Sequence, residues 1–334
     1  MNFNIILCIL LLALVSNTFA DNTALSIWNQ DASSISVGIT DFDTRSNTPR
    51  RTLYGFSNVM TAGNQYSTYN YNTGIMYFVA TSFDPSLSGY MFLKSFSTNT
   101  WTFGTYTSNM TTDTDLLSVV SAQTNADDDL FLIFGSPAAE NGMTITKFNA
   151  LTSTYTIVDN IAGYNFSSSA FDISNNILLI IMTDSNGNMI VNTYDPLGNK
   201  ISSKPYTISN MNSSYKSTNR PYNLQYLPQL KGLYVNMNIY QFSWNQSPQM
   251  FSVNEQAQVF RLAPLISNSI TVKSLYGMTA IGDYIYQSGQ LSTTGSGNYA
   301  IQMDVVRNVY ITSINLQTLP LNFWMMKSGS WSIG

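Results

Sequence analysis

The chain has 334 residues, of which 44% are hydrophobic, 13% aromatic and only 10% charged, and its formal net charge is −4. This composition is too rich in aromatic residues for a disordered chain, and too poor in Lys and Arg for a nucleic-acid partner. The absence of histidine excludes Ser-His-Asp and Cys-His catalysis and every histidine-ligated metal site.

The first twenty residues resemble a secretory signal peptide. Residues 5–15 form an unbroken apolar run, long enough for a signal core and too short to span a bilayer. Thr18 and Ala20 supply the small residues that precede a cleavage site. We therefore expect residues 1–20 to be removed and residues 21–334 to form one domain. No Lys or Arg precedes the apolar run, which leaves an uncleaved N-terminal anchor as the alternative.

Removal of this leader would also remove Cys8, the single cysteine. The mature chain would then hold no thiol, so disulfides, zinc–thiolate sites and cysteine nucleophiles are not expected. No later segment approaches the roughly 18 apolar residues that a membrane-spanning helix needs. The sequence thus predicts a secreted protein with no membrane span after cleavage.

Four Asn-x-Ser/Thr sequons fit a secreted protein, and they lie at Asn109, Asn165, Asn212 and Asn245. Asn212 is the best predicted acceptor, because it lies in a polar stretch at residues 210–219. Asn245 is the weakest, because Pro248 follows its serine.

A repeated pair of residues indicates the fold. An apolar or aromatic residue followed by Asp, Asn or Ser ends a strand-like run and begins a polar turn at Phe42-Asp43, Phe96-Ser97, Phe148-Asn149, Tyr194-Asp195, Val253-Asn254 and Met303-Asp304. We call these pairs the anchors. Their mean spacing is about 52 residues, so six units fill the mature chain. A period near 50 with four strands per unit is typical of propeller blades, and the predicted fold is an all-β, six-bladed β-propeller.

Four strands can be assigned in each of three blades, because short runs rich in Val, Ile, Phe, Tyr and Thr alternate with polar turns. In blade 2 they are residues 66–71, 75–81, 90–96 and 101–106. In blade 3 they are residues 116–121, 130–135, 143–148 and 155–158. In blade 4 they are residues 170–173, 177–183, 189–194 and 204–208.

The two ends of the chain are predicted to complete one blade together. Only two strands, residues 24–28 and 34–40, fit before the first anchor, so blade 1 lacks its inner strand. Residues 319–326 are an apolar segment left over after blade 6. Pairing this segment into blade 1 would close the ring. A seven-bladed propeller or a pair of β-sandwiches is the alternative.

Residues 96–101, Phe-Ser-Thr-Asn-Thr-Trp, resemble the turn of a kelch repeat, and Tyr194-Asp195 resembles it less completely. The diglycine of kelch blades and the Trp-Asp ending of WD repeats are both absent. The resemblance implies a propeller, and it implies no particular ligand or family.

Without His and Cys, paired carboxylates are the acid–base option that the sequence offers. Asp84, Glu140 and Asp184 fall in equivalent loops of consecutive blades, where they are either a catalytic set or ordinary turn residues. No other cofactor is expected, and calcium is the one metal that the composition permits. Its weak candidate ligands are Asp127, Asp128 and Asp129, whose mutual repulsion a cation, or water and salt, would relieve.

The tripeptide Trp-Asn-Gln occurs twice, at residues 28–30 and 244–246, each time at the end of a predicted second strand. A tryptophan beside amides suits stacking on a sugar or peptide, so Trp28, Asn29 and Trp244 are candidate ligand contacts. The alternative is that each tryptophan packs between blades while the amides cap the turn.

Taken together, these patterns predict a secreted, glycosylated, non-catalytic β-propeller that binds an extracellular glycan or protein. A secreted hydrolase or lyase that uses Asp or calcium is the second hypothesis. A structural matrix or coat protein is the third, which the low charge would suit.

Overall fold

The computed structural model describes residues 22–58, 65–111, 115–123, 129–135, 142–186, 188–205, 207–209, 223–238, 248–253, 258–264, 271–292, 296–307 and 309–325. These residues are mostly β-strand, and the strands form six sheets. The inner strands of successive sheets contact one another around a ring, so each sheet is one blade. The prediction of a six-bladed β-propeller is confirmed.

The strands are numbered in chain order. Blade 1 contains β1 (Thr23–Asp31), β2 (Ser34–Asp41) and β3 (Ser46–Tyr54). Blade 2 contains β4 (Phe56–Asn58), β5 (Ser67–Asn70), β6 (Ile75–Ser82), the 3-10 helix Pro85–Leu87, β7 (Tyr90–Ser97) and β8 (Thr102–Thr111). Blade 3 contains β9 (Leu116–Ser121), β10 (Asp129–Gly135), β11 (Gly142–Asn149) and β12 (Thr154–Ala162).

The second half of the ring repeats this order. Blade 4 contains β13 (Asn165–Asp172), β14 (Ile177–Thr183), β15 (Met189–Tyr194) and β16 (Lys200–Pro205). After β17 (Thr207–Ser209), blade 5 contains β18 (Asn223–Leu227), β19 (Gly232–Asn238), β20 (Pro248–Val253) and β21 (Gln258–Pro264). Blade 6 contains β22 (Thr271–Ile281), β23 (Tyr284–Ser292), β24 (Ser296–Asp304) and β25 (Val309–Leu316), and β26 (Asn322–Trp324) follows it.

Each blade is an antiparallel meander whose first strand faces the central channel and whose last strand lies at the rim. Second strands such as β10 and β14 are apolar on both faces, because each face packs against a neighbouring blade. The outer strands β3 and β12 are largely exposed. The hydrophobic core therefore lies between the blades.

The first residues of the anchors have the same role in all six blades. They are Phe42, Phe96, Phe148, Tyr194, Val253 and Met303, and all are buried at the ends of third strands. In blades 3, 4 and 6 the polar residue of the anchor also caps the turn that follows: the side chain of Asn149 accepts the N–H of Thr152, that of Asp195 accepts the N–H of Asn199, and that of Asp304 accepts the N–H of Arg307. The regular spacing thus reflects one buried apolar residue per blade, followed in these three blades by a turn that the anchor caps.

The chain ends close the ring as predicted. In β26, Trp324 pairs with Leu25 and Asn322 pairs with Ile27 of β1, which gives blade 1 its inner strand. The strand is shorter than the predicted segment 319–326, because Pro320 has no N–H to donate to a ladder. Its carbonyl instead accepts the hydroxyl of Ser288.

Aromatic packing reinforces this closure between blades 6 and 1. The ring of Phe42 stacks on Tyr286 with centroids 4.0 Å apart and meets the edge of Phe323 at 5.3 Å. Burial raises the pKa of Tyr286 to about 12, so its hydroxyl stays protonated at neutral pH. Gly277 allows β22 to approach β26, since a Cβ there would overlap the side chain of Asn322.

Two predicted strands of blade 4 are wrong. The outer strand is Lys200–Pro205 rather than residues 204–208, and Pro205 ends it. The segment Thr207–Ser209 is instead a separate strand, β17, which pairs in parallel with β21 of blade 5. The inner strand begins at Asn165 rather than at residue 170, because three serines in its centre hide the apolar pattern.

Replacement of Phe323 and Trp324 together by alanine is expected to unfold or aggregate the protein. Both side chains are at most 3% exposed, and each truncation costs about 3–5 kcal/mol, against a total stability of about 5–15 kcal/mol. Thermal unfolding followed by circular dichroism measures the effect. Val306→Ala, on a side chain that is 72% exposed, is the control. A double variant that melts with the control would contradict the closure.

Candidate functional site

The centre of the ring is crossed by the side chain of Gln65, which lies just before β5. Its Nε2 donates to the side-chain oxygen of Asn223 at 2.6 Å and to the carbonyl of Leu224 at 2.9 Å, both in blade 5. Its Oε1 accepts the N–H of Ser169 in blade 4 at 2.6 Å. Its own N–H donates to the carbonyl of Leu117 in blade 3. One residue of blade 2 therefore joins three other blades.

A second glutamine completes the other half of the centre. Gln225 of β18 donates from Nε2 to the carbonyl of Phe323 in blade 1 at 2.8 Å. Its Oε1 accepts the N–H of Met278 in blade 6 at 2.9 Å. Both contacts are buried, and both satisfy backbone groups that have no ladder partner at the axis.

A cavity of about 50 Å³ lies beside these glutamines. This volume is enough for roughly four ordered waters. It is lined by residues of the inner strands and their ends, and none of the described lining residues is charged. Burial, reinforced by Tyr69 and Tyr226, raises the pKa of Tyr71 far above its ordinary value, so this group is neutral as well. The cavity offers neutral hydrogen-bonding groups and no charged acid or base.

The most exposed aromatic side chains of blades 1 and 2 lie at one end of the ring. We call this end the loop face, because it carries the loops that join second to third strands and one blade to the next. Tyr54 ends β3 and is 75% exposed, Phe83 follows β6 at 50%, and Tyr90 begins β7 at 39%. The N–H of Phe83 donates to the carbonyl of Gly55, the residue after Tyr54, so the backbone segments that carry the first two are held together. We call Tyr54, Phe83 and Tyr90 the aromatic patch.

Sequence reasoning missed the aromatic patch, although a signal for one member was present. Phe83 lies in a predicted second-to-third-strand loop, where an apolar side chain has no core to enter. Tyr54 and Tyr90 sit at strand ends in a pattern that fits burial equally well. Their exposure depends on where the blades stop, which the sequence does not show.

The predicted ligand contacts at the two Trp-Asn-Gln tripeptides are described only in part. Trp28 is 1% exposed, and its indole N–H donates to the side-chain oxygen of Gln30 at 2.9 Å, which favours the packing interpretation. Asn29 is half-buried at the end of β1, and Trp244 lies outside the described residues. A ligand-binding role for Trp28, Asn29 and Trp244 stays a prediction.

Two of the three loop carboxylates cap their own turns. Asp84 accepts the N–H and hydroxyl of Ser86, and these hydrogen bonds lower the pKa of its carboxyl. Asp184 accepts two backbone N–H groups and the side-chain amide of Asn188. Glu140 lies outside the described residues. The observed contacts therefore fit turn residues.

The predicted calcium ligands are described only in part. Asp129 forms an ion pair with Lys147 at 2.8 Å, and Asp127 and Asp128 lie outside the described residues. In the described part of the chain, no group of three or more Asp, Glu, Cys or His side chains could hold a metal ion. Calcium binding at Asp127, Asp128 and Asp129 stays a prediction.

The sequons differ in position. Asn109 lies in β8 at the rim of blade 2, and Asn165 is the half-buried first residue of β13. Asn212 and Asn245 lie outside the described residues. Of the rim strands, β8 is thus the one that carries a sequon in its described length.

No helix among the described residues is long and apolar enough to cross a membrane.

Comparison with known proteins identifies the fold and no closer relationship. No protein-family model matches the chain. No curated protein matches it either. The structure is similar to a chain in the crystal structure of a nidogen/laminin complex, with a TM-score of 0.52 and 9% identity over 90% of this chain and 97% of that chain. It is also similar to the β-propeller domain of Cps50 (Swd1) from Myceliophteria thermophila, with a TM-score of 0.52 and 9% identity over 91% and 90%. The comparisons therefore show the β-propeller fold and identify no family.

Gln225→Met is expected to destabilise the protein by about 2–5 kcal/mol, because it leaves a carbonyl and an N–H in two other blades buried without partners. Urea unfolding measures the change in the free energy of unfolding. Gln317→Met, at an exposed position of the same residue type, is the control and should behave as wild type. Equal midpoints for the two variants would show that the axial hydrogen bonds carry no net stability.

Proposed function

We propose that this protein is a secreted, glycosylated, non-catalytic propeller that binds an extracellular glycan or protein through the aromatic patch. The observation that carries the proposal is the exposure of Tyr54, Phe83 and Tyr90 at one place on the loop face. Single exposed apolar residues are ordinary, but grouped exposed aromatics are typical of surfaces that a partner covers.

The chemistry of the patch fits an uncharged partner surface. Tyrosine and phenylalanine provide large, rigid contact area with few rotatable bonds, so little conformational entropy is lost when a partner packs on them. The tyrosine hydroxyls add donors and acceptors at the edge of the patch. The exposed side chains of Gln30 and Asp31 end β1 on the same face and supply further polar groups.

The centre of the ring supports binding at a face rather than catalysis in the channel. Gln65 and Gln225 occupy the axis, and the remaining cavity has room for a few waters rather than for a sugar ring. A propeller chain of similar fold was crystallised as part of the nidogen/laminin complex, which supports the use of this scaffold in a protein complex.

The combined substitutions Tyr54→Ala and Phe83→Ala are expected to weaken binding at least about tenfold, because exposed aromatics dominate such contacts. Binding is measured first on a glycan array and against extracellular material, and then as a dissociation constant for the ligand found. Leu151→Ala with Leu197→Ala is the control, because these leucines are 77% and 73% exposed on the opposite face. Equal losses in both double variants would contradict a role for the patch.

Secretion and glycosylation rest on the apolar run at residues 5–15 and on the four sequons. The mature protein is expected to begin at Asp21, as N-terminal sequencing would show. Asn212→Gln is expected to remove one glycosidase-sensitive increment of mass. A chain that begins at Met1 and does not change mass on glycosidase treatment would contradict both.

A further inference from the structure

The outer strand of a propeller blade has one edge that the meander of that blade leaves unpaired. Such an edge exposes a row of N–H and C=O groups on which another strand can add. Three features prevent such an edge from associating with another strand: prolines, cationic side chains, and a segment of chain that covers the edge. The six rims of this ring differ in which of these features they carry.

Three rims are protected by residues that the structure describes. The outer strand β3 contains Pro49, Arg50 and Arg51. In β16 the corresponding residues are Lys200, Lys204 and Pro205. The edge of β21 is occupied by β17, which pairs with it in parallel. At the rim of blade 2, β8 carries the sequon at Asn109.

Within the part of the chain that the structure describes, the rims of blades 3 and 6 have none of these features. Neither β12 nor β25 contains Pro, Lys or Arg, and no described strand pairs with the outer edge of either. Ile157 of β12 is 63% exposed, while Val309 and Ile311 of β25 are each 42% exposed. The one charge in these strands, Asp159, accepts the hydroxyl of Tyr194 and lies 3.5 Å from the ammonium of Lys200.

The two open edges lie on opposite sides of the ring and are similar in length. Blades 3 and 6 lie half a turn apart in a ring of six. The strands are similar in length, with nine residues in β12 and eight in β25. A dimer of identical edges would need only one open edge, whereas head-to-tail contact needs two different ones. The pairing of β17 with β21 shows that a rim of this ring accepts an added strand.

We propose that β12 of one copy pairs with β25 of a second copy, so that the protein assembles head to tail through the rims of blades 3 and 6. Both strands are uncharged at their exposed positions, so no like-charge repulsion opposes the contact. Aromatic and β-branched side chains on the two strands supply favourable cross-strand pairs. Because the edges lie half a turn apart, successive contacts do not close into a small ring but continue as an open chain.

Sedimentation velocity over a range of concentrations tests the assembly with the full chain. Wild type should form dimers and longer species as the concentration rises. Ile157→Lys should raise the dissociation constant at least about tenfold, because it places a cation on the open edge. Ile201→Lys is the matched control, since Ile201 is 57% exposed on β16, whose edge already carries lysines. A wild-type chain that stays monomeric throughout would overturn the proposal, as would equal effects of the two variants.

Cross-linking identifies the strands in contact. In a Cys8→Ser background the chain has no cysteine. Chains that carry Thr156→Cys in β12 are mixed with chains that carry Thr312→Cys in β25, both at exposed positions, and a short bismaleimide is added. The expected product joins one chain of each kind. Products that join only Thr156→Cys chains to each other, or no product, would overturn head-to-tail pairing.

Discussion

Six inner strands converge on the central channel, where backbone N–H and C=O groups that no ladder pairs need other partners. Gln65 and Gln225 meet this need, because one flexible glutamine side chain offers both a donor and an acceptor. Shorter side chains complete the circle, where Asn322 donates to Ser67 and the hydroxyls of Ser118 and Ser169 share a hydrogen bond. These hydrogen bonds make the axis a structural centre of the ring.

Closure of the ring depends on this centre. The carbonyl that Gln225 satisfies belongs to Phe323, in the strand that joins the two ends of the chain. The same three-residue strand packs its aromatic side chains against both neighbouring blades. This short closing strand is held by its ladder with β1, by the packing of Phe323 and Trp324, and by axial hydrogen bonds at Phe323 and Asn322. Loss of any one of these weakens the other two.

The sequence predicts the architecture well and the site poorly. The anchors repeat because each blade needs a buried residue at the end of its third strand, so their number equals the number of blades. The apolar segment after the last anchor then remains to close the ring. The serines of β13 hide a strand, because three small polar side chains interrupt the apolar pattern from which a strand is predicted. Gln65 and Gln225 look like ordinary polar residues until six blades bring distant backbone groups around them. The aromatic patch depends on where strands end, and side-chain exposure at a strand end is decided by tertiary packing.

The proposed binding surface and the proposed assembly surface use different parts of the ring. The aromatic patch lies on the loop face of blades 1 and 2, whereas β12 and β25 lie on the rims of blades 3 and 6. Assembly through the rims would thus leave each patch uncovered and repeat it once per copy along the chain. A weak contact at one patch then becomes a strong one on a partner that presents repeated epitopes, because every later contact is intramolecular. Matrix polysaccharides and fibrous extracellular proteins have such repeats, so under the two proposals the matrix role and the binding role would belong to one assembly rather than exclude each other.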